Sequence, residues 1–209
     1  MMTTKSPTWS LLAPLYLIQF LSWSAMFCLW IYALPVIGHI LNPSGPALTD
    51  YRRLLIVVSA SFAYYSVLGT SLSFALPWLI ERIGNGVVYG LGLVIGSVGF
   101  AVLGTTLQPL WLAPAFTAIG VAWATQSSIP YALAASAAPE GRGAFFMRLF
   151  GFSTVLPQVV TTLGLALLGP AWFGENASRL MLVAASSMAI AGLLALGFRR
   201  RFAMTLEPW

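Results

Sequence analysis

The residues of this chain best suited to chemistry carry no charge. Gln19 and Trp23 stand one helical turn apart, and Trp30 follows on nearly the same face. Further along, Trp123, Ser127 and Tyr131 share one stripe with Gln126 beside it, close to Pro130, and Pro157 directly precedes Gln158. Carboxamides and hydroxyls both donate and accept hydrogen bonds, while an indole offers a flat apolar face with one polar handle. Together they suit a ligand rich in hydroxyl groups on an apolar frame. Packed helices in a bilayer use the same small hydroxyls and rings against each other, so the pattern alone leaves both readings open.

Other chemistries find little footing. Serines are plentiful, but none has a nearby base that would make it a nucleophile, and an enzyme is not expected. His39 is the one histidine and falls at the end of an apolar run without an obvious carboxylate neighbour, which favours an interfacial structural role. Cys28 is the one cysteine, so neither a disulfide nor a multi-thiolate metal site can form. No charged residue lies deep inside an apolar run, so a complete proton relay is missing from this chain. No metal or cofactor is expected. Asn176-Ala177-Ser178 matches the glycosylation acceptor pattern, but it lies almost against the last apolar run and the pattern is common by chance.

The elements that must position these residues are membrane helices. The 209 residues are 59% hydrophobic and 7% charged, against roughly 25% charged in a soluble domain. A hydrocarbon core of about 30 Å needs roughly 20 apolar residues per helical span. Six runs of that kind are read at about 11–41, 54–80, 86–107, 110–138, 149–168 and 180–198, forming one all-α integral membrane domain over 1–209. Residues 1–10 are short and polar, and the run after them is too long for the roughly 7–15 apolar residues of a signal peptide, so it is read as a retained first span. The net charge of +5 does not point to nucleic acid, because the basic residues sit at the ends of apolar runs instead of forming a soluble patch.

Lysine and arginine set the orientation. With both termini cytoplasmic in a cell (inner) membrane, Lys5, Arg82, Arg142, Arg148 and Arg199, Arg200 and Arg201 fall inside, and Arg52, Arg53 and Arg179 outside. Pro35, Pro77, Pro130 and Pro157 predict bent or interrupted helices in four different spans. In the third run Gly86 and Gly90, then Gly92 and Gly96, stand four apart, a spacing that lets another helix backbone come close. Glu81-Arg82-Ile83-Gly84-Asn85 leaves almost no room between the second and third runs, so that connection is read as very tight.

Taken in order, the stretch from Tyr16 through Gln19 to Trp23, then Glu81-Arg82-Ile83-Gly84, Gly120-Val121-Ala122-Trp123-Ala124, Pro130-Tyr131-Ala132-Leu133 and Leu156-Pro157-Gln158-Val159 form a series. It resembles the carboxy-terminal half of the sucrose and glycoside symporters of the major facilitator superfamily, over nearly the whole chain. The resemblance implies half of a twelve-helix bundle, with Arg82 and Gly84 matching the superfamily's short gating loop. Two departures stand out. The family enters its fifth span with a glycine-isoleucine-phenylalanine-asparagine sequence, whereas Arg148-Leu149-Phe150-Gly151 stands here. The chain also has room for one six-helix half only, and the family's proton-coupling acids and bases lie in the other.

What this implies is a half-size subunit for secondary transport of a sugar or glycoside, with or without proton coupling, working in the lipid bilayer with a second half as homodimer or heterodimer. Gln19, Gln126, Ser127 and Gln158 would hydrogen-bond the substrate, Trp23 and Trp123 would stack on it, and Glu81 with Arg82 would help lock the cytoplasmic side. The rival from another class is a transporter-derived subunit that does not transport and packs in a larger complex. A third reading makes the chain a piece of a longer transporter.

Overall fold

The computed structural model describes residues 9–44, 50–138, 141, 143–173 and 177–203, and among these every regular element is helical. Lys5, Arg142 and Asn176, which carried part of the orientation and glycosylation expectations, lie outside the described residues. Helix α1 spans Trp9–Leu41, and its 33 residues, with Pro14 and Pro35 inside, make about 50 Å at 1.5 Å per residue, more than a bilayer core requires. Helix α2 spans Tyr51–Ser73 and starts where the Asp50 carboxylate accepts the Arg53 backbone N–H at 3.1 Å, an N-cap bond that satisfies one free donor of the first turn.

The single run expected over 54–80 is two helices. Pro77 has no N–H to offer the carbonyl of Ser73, and the chain leaves α2 through tight turns at Phe74 and Ala75 before α3, Leu76–Ile83, begins. The expected tight connection follows. One residue, Gly84, at φ 85°, caps α3 and opens α4, Asn85–Thr105, a backbone angle that glycine adopts without a Cβ clash. A single 3-10 turn at Pro109–Trp111 leads into α5, Leu112–Ser136, followed by α6, Gly143–Phe173, α7, Ala177–Gly197, and the short α8, Arg199–Ala203. Helix α6 starts before the expected 149 because nothing between Gly143 and Arg148 breaks a helix once Gly141, at φ 75°, has made the turn.

Five of these helices, α1, α2, α4, α6 and α7, are long and apolar enough to cross a membrane. Helix α5 matches them in length at 25 residues, but Thr125, Gln126, Ser127, Ser128 and Pro130 dilute its hydropathy.

Glycines set the closest approaches. A Cβ on Gly90 would lie 2.9 Å from the Gly192 carbonyl oxygen, one on Gly104 3.1 Å from that of Ser178, and one on Gly86 would collide with Arg199, so α4 and α7 run antiparallel with their backbones nearly touching. Gly92 meets Thr125, Gly96 meets Ala122 and Gly99 meets Ala115, which packs α5 antiparallel on the next face of α4. Helices α2 and α5 run parallel, with Phe62 and Tyr65 against Phe116 and Gly69 against Trp123. So do α1 and α6, with Tyr16 on Phe150 and Gly169 against Tyr32.

This packing repeats itself upside down. Helix α1 lies against α7 as α5 lies against α4, α1 lies against α6 as α5 lies against α2, and α4 with α7 forms the central and most extensive interface. Exchanging the triplet α1, α2, α4 for α5, α6, α7 therefore returns the same neighbours with every helix direction reversed. The exchange pairs α2 with α6, and only 17% of the apolar window of each is buried, against 61% for α4, so these two form the flanks. The helix directions also gather Arg82, Arg148 and Arg199, Arg200 and Arg201 at one end, and Arg52, Arg53 and Arg179 at the other.

Candidate functional site

The candidate site lies between α1, α5 and α6. Toward the Arg52 end stands a block of rings. Trp23 and Trp30 of α1 and Trp123 of α5 contact one another edge to face, with centroids 5.7 to 6.1 Å apart. Tyr65 of α2 closes on Trp123 at 6.0 Å, and its hydroxyl accepts the Trp30 indole N–H at 3.0 Å. Gly69 makes room for this, because a Cβ there would stand 2.7 Å from Trp123 Cδ1. Toward the Arg82 end a smaller group joins Tyr16 of α1, Phe150 of α6 and Tyr131 of α5, with centroids 5.5 and 5.2 Å apart and the Tyr131 and Thr154 hydroxyls 3.1 Å from each other.

Between these two groups run residues 16–23 of α1, 123–131 of α5 and 150–154 of α6, a layer about 10 Å deep at 1.5 Å per residue. At this level along the helices, Gln19 Nε2, Trp23 Nε1, both side-chain polar atoms of Gln126 and the Ser153 hydroxyl, with the Ser24 hydroxyl at its edge, are buried without a protein hydrogen-bond partner. Gln19 and Gln126 are each wholly buried. The long contact from the Tyr89 hydroxyl, which donates to Gln19 Oε1 at 3.5 Å, is weak by distance. Unpaired amides in a low-dielectric interior cost several kcal/mol. Sequence periodicity cannot show that three separate helices bring such groups to one level.

The expected site residues thus divide. Trp23 meets Trp123 directly, and Gln19 and Gln126 share the layer with them. Ser127 is half-buried, and its hydroxyl donates back to the Trp123 and Ala124 carbonyls on its own helix, so it is not turned toward the amides by need. Gln158 does not join Gln19 and Gln126 within the chain. It is exposed, because α6 is covered on one side only and residues 158–160 fall on the other. Glu81 and Arg82 are both exposed, and the Arg82 guanidinium carbon lies 3.9 Å from the centroid of the Trp78 ring. Neighbours in sequence on a helix point apart, and the arginine's partner is therefore this ring, one turn back, instead of Glu81.

Tyr65, Tyr89 and Ser153 belong to the site and were not singled out by sequence, since a tyrosine or serine inside an apolar run looks like packing until its neighbours are known. Ser22 bonds the Gln19 carbonyl at 3.3 Å and helps hold that turn. A cleft of about 320 Å³ lies elsewhere, between α2 and α5, and none of the expected site residues lines it. Among the described residues no group of three or more His, Cys, Asp or Glu is placed to hold a metal ion. Comparison with protein-family models, with curated proteins and with solved structures gave no match.

Proposed function

We propose that the chain is a half-size membrane transporter subunit that carries a sugar or glycoside by rocking against a second half, either another copy or a complementary chain. The observation that carries this reading is the layer of unpaired buried amide, indole and hydroxyl groups on α1, α5 and α6, held between two groups of aromatic rings. A polyhydroxylated ligand supplies partners to such groups, and rings supply it apolar faces. The inverted repetition of the triplets adds support, because six-helix halves of the major facilitator kind are built from three-helix repeats of opposite direction. In this reading α5 is a sixth span whose polar residues belong to the pathway, and the chain is multi-pass in the inner membrane.

The orientation proposed is the one that puts the arginine-rich end, with Arg82, Arg148 and Arg199 to Arg201, in the cytoplasm together with both termini. Gln158, exposed on α6, then faces the second half across the pathway. Arg82 on Trp78 anchors the cytoplasmic turn. Partners are the lipid bilayer and the other half. Substrate binding is assigned to Gln19, Trp23, Trp123 and Gln126.

A second reading, a subunit that packs in a larger complex without transporting, draws on the exposure of Gln158 and on the way the three tryptophan rings pack against one another. Uptake of radiolabelled disaccharides into liposomes holding the purified chain, with and without a pH gradient, separates the two. Transport requires uptake that Trp123→Ala abolishes. Absence of uptake for every sugar, with the chain folded and in either gradient, favours the packing subunit.

A further inference from the structure

We propose that the cleft between α2 and α5 holds one acyl chain of an anionic phospholipid, whose headgroup is received by Arg52 and Arg53. This goes beyond the transport reading and needs only that the chain sits in a bilayer. The cleft, of about 320 Å³, is walled by Ile56, Val57, Ala60, Leu112 and Phe116. Its two polar wall residues have already spent their hydrogen bonds: the Ser61 hydroxyl donates to the Val57 carbonyl at 2.8 Å, and the Tyr64 and Thr117 hydroxyls stand 2.9 Å apart. Nothing on the wall asks for a polar ligand, and hydrocarbon fits it.

The extent of the cleft selects a lipid tail over a helix. From Ile56 to Tyr64 it follows α2 for about 12 Å at 1.5 Å per residue, close to the roughly 15 Å that one leaflet contributes to a hydrocarbon core of about 30 Å. A transmembrane partner would need a groove running the length of the span. At the mouth, Arg52 and Arg53 are exposed and stand four residues before Ile56 and Val57, on the same faces of α2 and about 6 Å nearer the membrane surface. That is the offset between a headgroup phosphate and the first carbons of its chains. Tyr51 is 54% exposed and Trp111 48% exposed at this same end, the pair of amphipathic rings expected at headgroup level. The Asp50 carboxylate accepts the Arg53 backbone N–H and keeps its charge, so the two guanidiniums leave an excess of positive charge here that an anionic headgroup complements.

Native mass spectrometry of the delipidated full chain in mild detergent tests this, with phosphatidylglycerol and phosphatidylcholine of identical acyl chains as probes. The unchanged protein retains phosphatidylglycerol over phosphatidylcholine. Arg52→Gln with Arg53→Gln lowers phosphatidylglycerol affinity about fivefold per arginine and leaves phosphatidylcholine as it was. Ala60→Trp, which fills the cleft from an exposed wall position, removes tight binding of both, and Ala113→Trp repeats this from the opposite wall should the first variant misfold. Equal retention of the two lipids by the unchanged chain, or full phosphatidylglycerol affinity in a folded cleft-filling variant, overturns the proposal. Because binding is read by mass and not by uptake, the result is independent of whether the chain transports.

Discussion

Gln126 sits wholly buried in α5 with neither its Oε1 nor its Nε2 bonded to protein, so Gln126→Met tests the site most directly. Methionine keeps the length and roughly the volume of the side chain and discards both polar groups, so packing changes little. Each unpaired buried group costs roughly 1–3 kcal/mol, which bounds the gain from removing two at about 2–6 kcal/mol. Local relaxation and the small values typical of interhelical hydrogen bonds in membranes pull it toward about 1–3 kcal/mol. At about 2–4 °C per kcal/mol for a chain of this size, the sugar-free variant should melt about 2–12 °C higher in detergent than the unchanged chain. The same substitution should abolish liposome uptake, and with it the rise in Tm that saturating sugar gives the unchanged protein, about 2.7 kcal/mol at a hundred times Kd. A variant that melts lower would mean that the amide holds a structural hydrogen bond, and one that keeps full uptake would remove Gln126 from the pathway. Either result refutes the assignment.

Gly90→Ala places a Cβ 2.6 Å from Leu196 Cγ and 2.9 Å from the Gly192 carbonyl oxygen, and overpacking there should lower stability by about 1–3 kcal/mol, read as a drop in Tm. Trp30→Phe deletes the 3.0 Å bond to the Tyr65 hydroxyl and should cost about 0.5–1.5 kcal/mol. A cycle with Tyr65→Phe should return most of that as coupling, and additive losses would show that the bond contributes nothing. For orientation, Glu81→Cys and Gln108→Cys both put a thiol at an exposed position, while the native Cys28 is buried. A membrane-impermeant maleimide should label the thiol at 108 in intact cells and the thiol at 81 only after permeabilisation, and labelling of 81 first would invert the proposed topology.

Much of the helical layout was legible because the period and length of the apolar runs dominate in a bilayer, and the glycine pairs of the third run told correctly where another backbone comes close. The second run was legible at one level and not at another: Pro77 was expected to bend or interrupt it, and does, while its hydropathy runs on unbroken. Phe74, Leu76, Trp78 and Leu79 keep the stretch apolar across Pro77, and hydropathy does not register that a proline has removed the donor that would have carried α2 onward. The site was legible in part, since Gln19, Trp23, Trp123 and Gln126 are unusual enough in apolar surroundings to draw notice. The side to which Gln158 turns was not legible, because spacing along one helix gives no azimuth. Only the position of α1 against one side of α6 decides which residues are covered. Spacing also does not reveal that the Ser127 hydroxyl donates to the preceding turn of its own helix.

The two groups of rings that bracket the amide layer are unequal. Toward the Arg52 end, three indoles, Tyr65 and the phenyl rings of Phe27, Phe62 and Phe116 interlock across three helices, whereas the group toward the Arg82 end joins Tyr16, Tyr131 and Phe150. Each aromatic pair adds about 0.5–1.5 kcal/mol beyond the area it buries, so the helix contacts of the larger group should part less readily than those of the smaller. The two ends of the chain therefore differ in stiffness, and helix movements within it should begin at the Arg82 end.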